Sequence, residues 1–195
     1  MRKGCRDQCR EWLDMGMWGI LPVYRQDGGN GSEILFSDRE PLRDKRGVRA
    51  LVKGLAELYQ KDMRLLRSQA REITGQRTMN PLPVDPHIIL IPFKTRKPIG
   101  RDDGAVGYIF LSGIADACRE GNGTRIVLKD GRRIPVLESF PTARRHIRQG
   151  RQLQSRMVFQ GNAMEGRMAA LNSLREECDR PATRGDIALL IGRIS

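Results

Sequence analysis

Aromatic residues make up only 5% of this sequence. Surfaces that take up single-stranded nucleic acid present rings for bases to stack on. The central candidates, Phe93, Tyr108 and Phe110, read as core residues, so the shortage argues against a stacking platform. Cysteine is also sparse: Cys5, Cys9, Cys118 and Cys178, with no CxxC pair. A zinc site needs clustered ligands, and His87 and His146 lie far from any cysteine in sequence. Cys5 and Cys9 stand one helical turn apart and could chelate a metal or oxidise, but ordinary reduced thiols are the simpler reading. His87 reads as a satisfied strand-end histidine. No metal and no cofactor is expected.

No apolar run approaches the ~18 residues of a membrane-spanning helix. The N-terminal stretch Trp12–Pro22 is interrupted by Asp14, and no small-residue cleavage site follows it. These absences point to a soluble, cytoplasmic chain without a membrane partner. P-loop, GxSxG and HExxH patterns are missing too. Asp102 and Asp103 would point apart in a strand and suit a turn better than acid–base work. The chain therefore does not read as an enzyme. One acting on nucleic acid or a phosphorylated small molecule would need an acid, base or nucleophile set, which is not apparent.

Negative charge is the most telling deficit. There are 35 Lys and Arg against 23 Asp and Glu, a net charge of +12 and an isoelectric point near 10.3. Such an excess opposes compaction by self-repulsion and points to a polyanionic partner. The deficit is local as well. From Ser139 to Met164 there is no Asp or Glu, yet Arg144, Arg145, Arg148, Arg151 and Arg156 fall within that stretch. A guanidinium fork donates bidentately to phosphate and enters narrow grooves. The helix entry at Ser139–Thr142 adds backbone N–H groups suited to phosphate. A second basic cluster is Lys94, Arg96, Lys97 and Arg101; a third is Arg125, Lys129, Arg132 and Arg133. If the strand ends that carry them converge, one composite patch results. Neutralising about six phosphates would give log K against log salt a slope of roughly −5.

The periodicities predict an α+β fold: a β-rich central part with hairpins, a helix before it and helices at the C-terminus. A helix is expected over Arg6–Met15. Strands Trp18–Tyr24 and Glu33–Ser37 flank the turn Asp27–Ser32, and Asp38–Arg49 reads as loop. Val48–Ile73 has one helical period, with Leu51, Leu55, Leu58, Leu65 and Leu66 on one face and Lys61, Arg64, Arg67 and Arg71 on another. That basic stripe reads as a solvated face. Gly75 is its stop signal. Asn80–Pro86 is rigid and extended, passing between two layers. His87–Phe93 reads as a central strand ending at Pro92, and Ala105–Leu111 as another. Ser112–Glu120 is ambiguous, with a short helical turn one reading. Thr124–Leu128 and Arg133–Leu137 form a hairpin with a type I′ turn. A helix from about Thr142, weakened at Gly150, would turn Ala143, Ile147 and Gln154 inward. A loop over Val158–Asn162 and a helix over Ala163–Cys178 follow, with Met164, Met168, Leu171 and Leu174 on one face. The apolar tail Asp186–Ile194 must pack somewhere.

The β-rich centre resembles the ComK family, the competence transcription factors of Firmicutes. The resemblance runs through Pro81–Pro86 (PLPVDP), His87–Pro92 (HIILIP), Gly107–Ile109, Thr124–Arg132 (TRIVLKDGR) and Ser139-Phe140. It extends more weakly to Ile20–Pro22, Glu33–Phe36, Leu58-Tyr59 and Ile73–Gly75. Tyr108 stands where the family has Trp, Val106 where it has Cys, and Arg101–Ala105 looks like a small insertion. On this resemblance 1–17 would be an N-terminal extension, 18–156 a DNA-binding domain and 157–195 a C-terminal helical region. The resemblance implies a transcriptional activator binding A·T-rich double-stranded promoter DNA through the minor groove, as a homo-oligomer. It also implies control by a proteolytic adaptor. Arginine suits narrow A·T minor grooves. Arg144, Arg145, Arg148 and Arg151, then Arg96, Lys97, Arg132 and Arg133, are the expected DNA contacts. A LytTR-like domain is a nearby fold, and an RNA- or ribosome-associated protein the alternative function.

Overall fold

A computed structural model describes residues 4–100 and 103–179, with side chains to residue 172. The polypeptide forms two units, one through Met157 and one from Val158 onward. Arg101, Asp102 and the tail Asp186–Ile194 lie outside the described residues.

The mixed α and β content follows the sequence pattern. Helix α1 (Cys5–Asp14) leads into β1 (Met17–Tyr24), β2 (Asn30–Phe36) and the short β3 (Leu42–Asp44). Two helices, α2 (Val48–Leu58) and α3 (Met63–Thr74), precede β4 (Leu82–Asp85), β5 (Ile88–Lys94) and β6 (Val106–Phe110). These six strands make one antiparallel sheet in the order β3-β2-β1-β6-β5-β4. After a single 3-10 turn, Leu111–Gly113, come β7 (Ile114–Glu120), β8 (Gly123–Leu128) and β9 (Arg133–Val136), a second antiparallel sheet. Helix α4 spans Phe140–Asp179.

Side chains alternate along a strand, and both faces of the six-stranded sheet are buried. Ile20, Ile34, Phe36, Leu90 and Phe110 meet Cys9 and Trp12 of α1, Leu51 and Leu55 of α2 and Leu66 of α3. The opposite face offers Leu21, Leu35, Ile89, Ile91, Phe93 and Ile109 to Ile126 and Leu128 of the small sheet and Ala143 and Ile147 of α4. Helix α1, within the expected N-terminal extension, thus packs into the core. The Cys9 thiol is fully buried, which pushes its pKa up to about 12 and makes it a poor nucleophile or ligand. Among the described residues no His/Cys/Asp/Glu cluster could hold a metal ion, and no helix is long and apolar enough to cross a membrane.

Several local expectations are corrected. Val48–Ile73 is two helices. Gln60 takes a left-handed φ of 54°, and the Asp62 carboxylate caps a new helix by accepting from the Arg64 and Leu65 N–H groups. Leu65, placed on the leucine face, is exposed. Gly75 does end α3 in the left-handed conformation, at φ 67°. The segment read as loop contains edge strand β3. The proline-rich crossing is the other edge strand, β4, where Pro83 is tolerated because an edge need not donate on both sides. Strand β5 continues past Pro92, which pairs with Tyr108. The ambiguous Ser112–Glu120 is mostly strand β7. The β8–β9 hairpin turns through Lys129–Gly131: the Gly131 N–H donates to the Leu128 carbonyl at 3.0 Å and Gly131 has φ 88°. This is a three-residue loop with glycine in the left-handed position, in place of the expected type I′ turn. No loop interrupts α4 at Val158–Asn162. Gly150 is there for contact: a Cβ would come within 2.2 Å of Ile91 Cδ1, so glycine lets α4 lie close on β5.

Candidate nucleic-acid interface

Ala143, His146, Ile147, Gln149, Gly150 and Leu153 are the buried residues of α4 in the first unit, and Arg144, Arg145, Arg148, Arg151 and Arg156 are exposed. At 3.6 residues per turn, Arg144, Arg148 and Arg151 fall within roughly 60° of one another and span about 10 Å of helix. Over that length duplex DNA carries about six phosphate charges. None of these arginines makes an ion pair among the described residues. Their internal engagements are weak. The Arg144 guanidinium lies 5.7 Å from the Phe140 ring centre, and Arg151 Nη2 reaches the Ala115 carbonyl at 3.5 Å. Arg119 of β7 approaches the same Phe140 ring at 5.3 Å. It joins this basic face from the other sheet, an addition not visible in sequence.

The second and third clusters behave differently. Arg96 holds the loop after β5 onto the β1–β2 hairpin. Its guanidinium sits 3.9 Å over the Tyr24 ring, Nε donates to the Gly104 carbonyl at 2.8 Å, and Nη2 donates to Asn30 Oδ1. Asn30 Nδ2 and the Tyr24 hydroxyl each donate to Asp103 at 2.8 Å. The Gly100 N–H, Asn30 and Tyr24 together hold the Asp103 carboxyl well below the usual carboxylate range. Lys97 is exposed on this loop.

On the small sheet, Arg125 pairs with Glu120, and Arg133 Nη1 lies 3.9 Å from the same carboxylate. Arg132 pairs with Asp130 and donates through Nη2 to the Phe36 carbonyl, tying the hairpin to β2. So Arg96 and Arg132 are engaged in the fold, Arg133 shares Glu120, and Lys97 joins the α4 arginines as an exposed cation.

Beneath Arg145, a hollow of about 350 Å³ is lined by Arg77, Lys94, Glu138, Thr142 and His146, among others. One Glu138 oxygen accepts the Lys94 backbone N–H at 2.7 Å, and burial raises its pKa. His146 is buried; desolvation, and then the Arg145 charge, lower its pKa despite its bond to the Pro92 carbonyl. Both effects favour the neutral imidazole inside this basic helix.

Of the stripe read as a solvated face, Arg64, Arg67 and Arg71, but not Lys61, border a cleft together with Arg49 and Arg77. Arg49 comes from α2 and Arg77 from the turn after α3, so only the tertiary fold brings the five together. No family model, curated protein or solved structure matches the chain.

Proposed function

We propose that the protein binds double-stranded DNA through the outer face of α4 and regulates transcription. The observation that carries this reading is the row Arg144, Arg148 and Arg151, exposed and without carboxylate partners among the described residues. Arg145 and Arg119 extend the cationic surface. A rigid helix holds the row at fixed spacing, which suits phosphate contacts and insertion into a narrow groove. The ComK resemblance supplies the rest of the reading: a promoter-binding activator of A·T-rich sites that works as a homo-oligomer, under adaptor-mediated proteolysis. The scarcity of exposed aromatics favours duplex over single strands.

The test is competition between an A·T-rich duplex and a structured RNA at matched salt. Tighter duplex binding, lost in Arg144→Ala with Arg145→Ala while circular dichroism stays unchanged, supports the reading. Tighter RNA binding would replace it with an RNA- or ribosome-associated role.

A further inference from the structure

The cleft on the α2–α3 face of the large sheet has two adjoining lobes that share lining residues. One, of about 510 Å³, is lined by Pro22, Val52, Met63, Arg96 and the start of α2. The other, of about 580 Å³, is lined by Arg64, Arg71 and Arg77 and by Leu82 and Pro92 of the sheet. Arg49, Arg67, Val106 and Tyr108 line both. Each lobe falls in the size range of small-molecule sites.

We propose that this cleft binds the phosphate chain of a small phosphorylated molecule. Five arginines from α2, α3 and the following turn converge there. None has an ion-pair partner among the described residues. Asp103 is the carboxylate among the described lining residues, and its oxygens already accept from Tyr24, Asn30 and backbone N–H groups. Gathering like charges without counter-charge is unfavourable until an anion arrives. Tyr108 stands at the junction of the lobes. Burial raises its pKa although Arg67 and Arg49 act against this, so it keeps its proton and offers a neutral donor to an anion.

Helix α2 adds to the cationic end. Its cap, Gly47, brings no side-chain acceptor, and no acidic residue occupies the first turn. The positive end of the helix is therefore not neutralised locally. Pro22, Val52, Met63 and Val106 give the first lobe an apolar wall suited to a base or another flat group. The concave shape admits a small molecule between helix and sheet, and a duplex is too broad to enter. The second lobe shares Arg77, Thr78 and Met79 with the hollow beneath Arg145, but the first lobe and Tyr108 lie across the large sheet from α4. Val52 and Tyr108 pack with the core on one side of the large sheet, and Ala143 and Ile147 of α4 with the core on the other.

The experiment is calorimetric titration of the full chain, without DNA, with ATP, inorganic pyrophosphate and adenosine, repeated in sulfate at equal ionic strength. ATP and pyrophosphate should compete for one site and adenosine should not bind. Tighter ATP than pyrophosphate binding identifies a nucleotide; equal binding identifies an inorganic polyphosphate. Arg49→Ala with Arg67→Ala should weaken either ligand at least tenfold. Tyr108→Phe should weaken it about threefold with the charge intact. Arg125→Ala with Arg133→Ala removes the same charge elsewhere and should leave binding within twofold. The proposal is overturned if neither ATP nor pyrophosphate binds at millimolar concentration, if sulfate displaces pyrophosphate as an ion of equal strength would, or if the two double variants lose binding equally. Because no DNA is present, failure here leaves the α4 reading untouched.

Discussion

The small sheet and helix α4 are both rich in arginine, and they use it in opposite ways. On the β7–β9 sheet, Glu120 faces Arg125 and Arg133, and Asp130 holds Arg132. On α4, no acidic residue occurs between Ser139 and Met164, and Arg144, Arg148 and Arg151 are exposed and unpaired among the described residues. Arginine density is similar in the two regions, but on the small sheet only Arg119 lacks a carboxylate among the described residues, whereas α4 leaves its whole outer row available. The determining quantity is the carboxylate within reach, which depends on which strands pair.

The largest effect is expected at α4. Replacing Arg144, Arg148 and Arg151 with alanine should cost about 100-fold in duplex affinity at low salt, or about 2.7 kcal/mol. The salt slope should fall by about 2 to 3 units. An anisotropy titration across salt measures both. A smaller effect, on stability alone, is expected at Arg132. Arg132→Ala removes its donation to the Phe36 carbonyl and its pair with Asp130. Denaturant unfolding should show a loss of about 1–2 kcal/mol, with duplex affinity of the folded fraction unchanged.

The buried side of α4 titrates. His146 has a lowered pKa in the fold, so the unfolded chain takes up its proton first. This contribution to stability is complete above about pH 6.5, the ordinary histidine value. It is lost as pH falls from there through the folded value. His146→Gln should flatten that part of a thermal-melt profile. The smallest effect concerns the paired region. Glu120→Gln frees Arg125 and Arg133 and should raise duplex affinity by about twofold, the scale of a surface ion pair.

Much of the fold was legible because the signals were local. The run HIILIPF reads as strand by its apolar content, and Gly75 stops α3 through its left-handed backbone. The Asp62 cap was also present in sequence, but the leucine period running across it concealed the break between α2 and α3. Gly150 misled for a physical reason. Its low helix propensity suggests weakness, while its lack of a Cβ is what allows α4 to meet Ile91. The α4 arginines were legible from the missing acids. The internal roles of Arg96 and Arg132 were not, because their partners Asn30, Tyr24 and Phe36 lie more than sixty residues away in sequence. The five-arginine cleft was hidden likewise, since Arg49, Arg67 and Arg77 come from three separate segments.

The most direct test compares two charge-matched variants by duplex affinity against salt. One is Arg144→Ala with Arg148→Ala; the other is Arg125→Ala with Arg133→Ala. The account predicts a wild-type slope of roughly −5, reduced by about 2 in the α4 variant and unchanged within error in the small-sheet variant. Equal loss in both variants, or a loss confined to the small-sheet variant, would contradict it.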